Sequence, residues 1–308
     1  MEYISIWDST GEFSGKPRNF GAPPQSFSWG TQVMTNERRQ KWPQRLWLVR
    51  HGKSAGNVAR DEAEMAGSPM IEIDTRDVDV PLSELGAQQS LALGRWFAEL
   101  PAPERPTVVL TSPYIRARAT ARCIVDRMAG NGDDVALVAD ERLREKEFGI
   151  LDRLTRLGIE EKYPDIGEQR SHIGKFYFRP PGGESWCDVI LRLRSLLDTM
   201  VREYSGENVL IVGHQVIVNC FRYLLDRLDE QQILDLDRAS DIPNCSVNSW
   251  EFDPALGRHG KLAPRLINFV VPQEQGAPLN AEPAVKQSAC RERIALAPDQ
   301  GHPAPPRP

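Results

Sequence analysis

Arg50-His51-Gly52 places an imidazole beside a guanidinium, directly after the apolar run Leu46-Trp47-Leu48-Val49 and before the small-residue stretch Lys53-Ser54-Ala55-Gly56-Asn57. A neutral imidazole nitrogen attacks phosphorus near neutral pH, and a guanidinium holds phosphate oxygens in a planar fork, so this pair suits phosphoryl transfer. Gly52 lets the chain turn sharply and come close to an anion. Two further groups follow apolar runs in the same way: Ser112 and Arg116 come after Thr107–Leu110, and His214 comes after Val209–Val212. A proton donor is available in the charged stretch holding Glu141, Glu145, Glu147 and Asp152, and spacing does not choose among them.

These groups need elements to position them, and the chain between its two ends alternates strand and helix patterns. Ser83 caps a helix with Leu85, Gln89, Leu93, Trp96, Phe97 and Leu100 on one face, followed by the strand Thr107–Leu110. Ser112-Pro113 reads as the cap and first turn of a helix to about Met128, with Arg116 in its opening turn. A short strand follows around Ala136–Val138, then a long helix through Val189, Leu193, Leu196, Leu197, Met200 and Tyr204. Asn208–Val212 is the next strand. Gly213-His214 turns into another helix, and Val247–Phe252 with Arg265–Val270 reads as an edge hairpin. The expected fold is α/β: a three-layer sandwich whose mainly parallel central sheet is flanked by helices. In such a sheet the carboxyl ends of parallel strands share one edge, which brings His51, Arg116 and His214 toward one pocket.

Composition narrows the partners. The 308 residues include 40% hydrophobic positions, enough for a substantial core, and 38 basic against 43 acidic residues give a net charge of -5. That balance argues against a nucleic-acid or membrane-surface binder, so an anion site must be a local basic pocket. Five cysteines with no paired short spacing suggest neither a disulfide framework nor a zinc site. The first residues lack a basic, apolar leader pattern and no long apolar run is present, so a cytoplasmic location is expected. Residues 1–44 read as an irregular, aromatic-containing arm, 45–271 as the folded domain, and 272–308 as a disordered Pro/Ala-rich tail.

Six ordered signatures between about Leu46 and Val270 resemble the histidine phosphatase superfamily, in the branch of cofactor-dependent phosphoglycerate mutases and fructose-2,6-bisphosphatases. They are Arg50-His51-Gly52 with Asn57, Pro81–Gly86, Ser112–Ala117, Leu143–Gly149, Pro181–Ser185 and Val212–Gln215. The resemblance implies a phosphoglycerate mutase-like fold and a small phosphorylated substrate, with no metal or cofactor. It implies His51 as the nucleophile that becomes phosphohistidine, and Arg50, Asn57, Arg116 and His214 as ligands of the phosphoryl group. Glu145 is implied as the general acid. Lys53, Ser54, Gly183 and Glu184 are candidate substrate contacts, although Gly182-Gly183 also reads as an ordinary turn and Glu184-Ser185 as a helix cap.

Two departures stand out. Lys53 stands where the family often has Glu or Gln, and Asp152-Arg153 where many members carry Glu-Gly. The connection Val58–Val80 is long, with Met65, Met70, Ile71 and Ile73 giving it an apolar side, and reads as a lid. Family mutases carry an added segment before the Gly-Glu-Ser region; here only Ile150–Pro181 intervenes, which favours hydrolysis. The alternatives are a mutase and a non-catalytic phospho-ligand module, for which the nucleophile would be superfluous. Lys53, Arg144, Lys146, Lys175 and Arg179 are expected to lend the pocket positive charge.

Overall fold

The structure is a computed structural model, and it describes residues 40–272. Expectations for 1–39 and 273–308 lie outside the described residues. The central strand β1 (Arg45–Arg50) shows how the sequence builds three layers. Its side chains alternate across the sheet, so Leu46 and Leu48 join one buried cluster while Trp47 and Val49 join another.

The remaining strands are β2 (Val108–Thr111), β3 (Ala136–Ala139), β4 (Asn208–Gly213), β5 (Ser246–Asp253) and β6 (Lys261–Val270). Their spatial order is β3-β2-β4-β1-β5-β6. The first four run parallel; β5 pairs antiparallel with β1, and β6 antiparallel with β5, forming the expected edge hairpin.

Helices α1 (Ala55–Ala66), α2 (Glu84–Glu99), α3 (Ile115–Ala129), α4 (Arg156–Lys162), α5 (Pro164–Ile173), α6 (Trp186–Glu203), α7 (Gln215–Leu225) and α8 (Glu230–Ala239) complete the domain. Leu93 and Phe97 of α2 and Ile124 and Met128 of α3 meet Trp47 and Val49 on one face. Trp186 and Leu193 of α6 and Ile217 and Phe221 of α7 meet Leu46 and Leu48 on the other. The α/β sandwich with a mainly parallel sheet is thus present. Fully buried leucine- or phenylalanine-sized side chains contribute roughly 1.5–3 kcal/mol each, so the two clusters make the sheet a rigid platform.

Three local readings need correction. The helix after β2 begins at Ile115 with Tyr114 as its N-cap residue, so Ser112 is not the cap. Ser112 still continues the strand ladder, its N–H donating to Val212 O at 3.0 Å. Leu85 is 43% exposed; in the first turns of α2 the buried positions are Gly86 and Ser90, because there the helix meets the backbone of the turn at Gly52 and Lys53, and only from Leu93 onward the apolar core. The connection after Asn57 is helical to Ala66, not loop throughout: Ser54 and Asn57 form a reciprocal capping box that starts α1.

Candidate active site

The turn after β1 is fastened on every side. His51 N–H donates to Gly213 O at 2.9 Å, and Asn244 Nδ2 donates to His51 O at 2.9 Å. Gly52 N–H donates to Thr120 Oγ1 at 3.1 Å, which links the turn to α3. A Cβ at Gly52 would lie 2.4 Å from Gly86 O, so glycine is required here by the close approach of α2. Ser83 N and Ser83 Oγ both donate to Lys53 O at 2.8 Å, closing the turn against the start of the same helix.

His51 is almost fully buried, and its Nδ1 bonds Gly52 O at 2.7 Å. A carbonyl can only accept, so Nδ1 carries the proton and Nε2 keeps its lone pair. Arg116 Nε donates to that Nε2 at 3.3 Å. Burial holds the His51 pKa well below its ordinary value, and the charges of Arg116 and Arg50 lower it further. A neutral imidazole with a directed lone pair is the result.

His214 is fully buried behind it, with its ring 5.0 Å from that of His51 and also 5.0 Å from that of Tyr114. Its Nε2 bonds Ser112 Oγ at 2.8 Å, while Nδ1 has no partner. Burial, then Arg116, holds this imidazole neutral as well. Arg50 donates from Nη1 to Ile242 O and leaves its buried Nε unpaired. Two unpaired buried polar atoms beside one imidazole are costly unless an oxyanion receives them.

Arg50, His51, Asn57, Arg116 and Glu145 share the wall of one cavity of about 420 Å³, and Ser54 joins them. Glu145 accepts from Lys146 N–H at 2.9 Å. Burial raises its pKa above the usual carboxylate value, and the negative charge of Asp77 adds to the rise, against the pull of Arg116 and Arg50. Such a carboxyl keeps its proton to higher pH than an exposed glutamate would.

Several expected contacts lie elsewhere. Lys53 is outside the cavity wall and pairs with Asp61 at 2.7 Å. Glu184 binds Arg144 at 2.7 Å and Arg192 at 3.0 Å, and accepts from Glu147 N–H, so it ties the 144–147 loop to α6. Gly183 sits where a Cβ would meet Glu147 O at 2.6 Å, which is a packing role. Arg179 is exposed on Asp188. Asn57 Oδ1 is used by Ser54 N–H and Asn244 Nδ2, so this residue caps α1 while facing the cavity.

Other wall residues come from the lid. Ile71 and Ile73, two of the apolar positions noted in the sequence, line the cavity together with Thr75, Asp77 and Val80, which carry no signal that spacing alone would reveal. Asp77 clamps Arg116, with Nη1–Oδ1 at 2.9 Å and Nη2–Oδ2 at 3.1 Å. The lid is tied to the Asp152–Thr155 region by Ile71 N–H to Arg153 O at 2.8 Å and by Thr155 Oγ1 to Ser68 O at 2.7 Å. Asp152 and Arg153, the positions of departure noted in the sequence, also line the cavity, as do Lys146, Arg170 and Lys175. Among the described residues no helix is long and apolar enough to cross a membrane, and no cluster of His, Cys, Asp or Glu is arranged to hold a metal ion.

The profile of the histidine phosphatase superfamily (branch 1) matches residues 46–262. A 2,3-bisphosphoglycerate-dependent phosphoglycerate mutase of Rhizobium meliloti (strain 1021) is 31% identical over 202 residues, covering 64% of this chain and 87% of the relative. A phosphoglycerate mutase-like protein of Arabidopsis thaliana, AT74H, is 28% identical over 246 residues, 74% of this chain and 79% of that protein. Among solved structures, mycobacterial glucosyl-3-phosphoglycerate phosphatase in complex with VO3 superposes with a TM-score of 0.56 at 25% identity, over 73% of this chain and 99% of that one.

Proposed function

The chain belongs to the histidine phosphatase superfamily (branch 1), and from that membership we propose that it hydrolyses phosphomonoesters through a phosphohistidine on His51. The observation that carries this reading is the bond from His51 Nδ1 to Gly52 O, which leaves Nε2 basic and 3.3 Å from the Arg116 guanidinium. Nucleophile and anion fork meet at one point.

In the first step Nε2 attacks phosphorus, the ester P–O bond breaks, and the leaving alkoxide takes the Glu145 proton. In the second, the Glu145 carboxylate takes a proton from water, the water oxygen attacks phosphorus, and the P–N bond breaks to release phosphate. Neutral His51 and protonated Glu145 are restored. Arg50, Arg116 and Asn57 line the cavity and are available to the transferring oxygens, while His214 is not in the cavity wall but buried against His51; the work of this set is positioning and charge stabilisation. The buried, unpaired Arg50 Nε and His214 Nδ1 support their place in this set.

The cavity is larger than a phosphoryl group needs and has apolar walls from Ile73, Phe178 and Trp186. Lys146 is buried, stacks over Phe148 with Nζ 4.5 Å from the ring centre, and has no carboxylate within ion-pair distance among the described residues. Burial draws its pKa down to about 8, helped by Arg170 and Lys175. Lys146 and Arg170 favour a leaving group that carries a second negative charge, a role that Lys53, Arg144, Lys175 and Arg179 do not share because each is paired with a carboxylate. The 31% identical relative is named a mutase, so return of the phosphoryl group to a bound product is the second reading.

The test is mass-spectrometric trapping of the phosphoenzyme, with phosphate release measured on a panel of phosphomonoesters. Acid-labile phosphate is expected on His51, with turnover abolished in His51→Ala; a His51→Ala enzyme as active as the wild type would overturn the assignment. Incubation with 3-phosphoglycerate and its bisphosphate primer separates the two readings, since isomerisation dominating over phosphate release identifies the mutase.

A further inference from the structure

Arg116 reaches in two directions. Its Nε–H points at the nucleophile, and both Nη atoms grip the Asp77 carboxylate, with a third bond from Nη1 to the Asp77 carbonyl. The guanidinium side chain is 6% exposed, whereas that of Asp77 is 43% exposed. A buried anion fork is therefore filled from the solvent side by the chain's own carboxylate. Building on the phosphoryl-site reading above, we propose that Asp77 is a built-in competitor of the phosphoryl group: it occupies the Arg116 fork, and an anion binds there only by displacing it.

The argument is one of exchange. A bidentate arginine–carboxylate pair is among the stronger protein hydrogen-bonded ion pairs, and any ligand of the fork must replace it. Coulomb attraction scales with the product of charges, so a dianion that engages Arg116 and Arg50 together outcompetes the single Asp77 carboxylate, which holds Arg116 alone. Asp77 also faces Glu145 and Asp152 across the cavity, and its charge raises the pKa of each. Any anion thus meets a fork already occupied and a negative rim.

Asp77 is placed for this by the lid. It opens the 3-10 turn Asp77–Asp79, and Arg76 pairs with Asp79 rather than with Asp77, which leaves the Asp77 carboxylate to Arg116. Upstream, the lid passes so close to α4 that a Cβ at Gly158 would meet Pro69 O at 1.9 Å. The strap is anchored on both sides while the half-exposed carboxylate itself is held only through Arg116.

The probes are phenylphosphonate and benzenesulfonate, tetrahedral anions of similar shape that differ by one charge at pH 8. Calorimetric dissociation constants are measured for the wild type, Asp77→Asn and Asp77→Glu. In Asp77→Asn the fork is no longer filled by a charge, so the fraction of binding-competent enzyme rises, and the affinity for benzenesulfonate is expected to tighten about tenfold or more. Phenylphosphonate is expected to tighten by at least the same factor, because displacement of Asp77 costs both ligands alike, and Asp77→Glu, which keeps the charge, retains the wild-type affinities. Unchanged affinities in Asp77→Asn, or parallel weakening of both ligands, would show that Asp77 only positions Arg116 and would overturn the proposal. If neither ligand binds the wild type and no phosphoenzyme forms, the phosphoryl-site reading itself falls, and the Asp77 role with it. Circular dichroism of each variant confirms that the fold is intact before the constants are compared.

Discussion

Gly86→Ala is the substitution in which the structure and simple helix propensity make opposite predictions. Gly86 lies inside α2, where alanine is ordinarily better than glycine by about 1 kcal/mol. A Cβ at this position, however, would stand 2.0 Å from Lys53 O and 2.7 Å from Lys53 N, against an ordinary contact distance of at least 3.4 Å. The two backbones must separate by more than 1 Å, roughly the difference 3.4 − 2.0 Å. Lys53 cannot retreat freely, because its carbonyl receives both Ser83 N–H and Ser83 Oγ–H at 2.8 Å. Overpacking of this kind costs roughly 1–3 kcal/mol and outweighs the helix gain. The displaced segment is the His51 turn, and a misplacement near 1 Å at a reacting centre lowers turnover by about 10²-fold. Gly167→Ala in α5 is the control, since a Cβ there meets nothing within 4 Å and the full propensity gain remains. Thermal melting and kcat on a common substrate are the assays. Gly86→Ala is expected to melt lower by about 2–6 °C with kcat down near 10²-fold, and Gly167→Ala to melt higher by about 2–4 °C with kcat unchanged. A Gly86→Ala enzyme that keeps both wild-type values would refute the claim that α2 sets the position of the nucleophilic turn.

Proton linkage and the second imidazole give four further expectations. His51 must be neutral to attack and its pKa lies well below the ordinary 6.5, so kcat/KM is expected to fall on the acid side only at pH below 6.5; an acid limb centred above that value would contradict the burial argument. Glu145 must be protonated to donate, its pKa is raised, and the alkaline limb should therefore lie above the ordinary 4.5 and disappear from the profile of Glu145→Gln. The same shifts affect stability: His51 and His214 are held neutral in the folded state, the unfolded chain binds protons below about pH 6.5, and folding free energy is lost as pH drops through that value toward the lower folded-state pKa values. Ser112→Ala removes the partner of His214 Nε2 in a fully buried setting, which costs roughly 1–3 kcal/mol in denaturant unfolding; a loss below about 0.5 kcal/mol would mean that the bond is not structural.

The strand-and-turn framework was legible in the chain because its signals are local. Leu46–Val49, Thr107–Leu110 and Asn208–Val212 are short apolar runs ended by turns, and each became a parallel strand with a candidate group at its carboxyl end. Ser83 and Gly86 carried both a cap and a close approach. The Ser54–Asn57 capping box is also present in the sequence, but the phosphate role implied for Asn57 masks it, and with it the helical start of the connection after Asn57. Ser112 was read as a cap because Ser-Pro commonly opens a helix; the competing partner, His214, is 102 residues away and leaves no local trace.

By residue type and order alone, the chain determined that the histidine proposed as nucleophile, two arginines and a second histidine would gather at one sheet edge, because parallel strands align their carboxyl ends whatever the details of packing. Tertiary structure decided the rest. It chose which nitrogen of His51 is free, through Gly52 O, and it withdrew Lys53 and Glu184 from the cavity by giving them Asp61 and Arg192 as partners. It also brought Asp77 onto Arg116 from a lid whose sequence has no periodicity to read. Charges find partners through space at a few ångströms, and that distance is set by how the layers close, which local pattern does not encode.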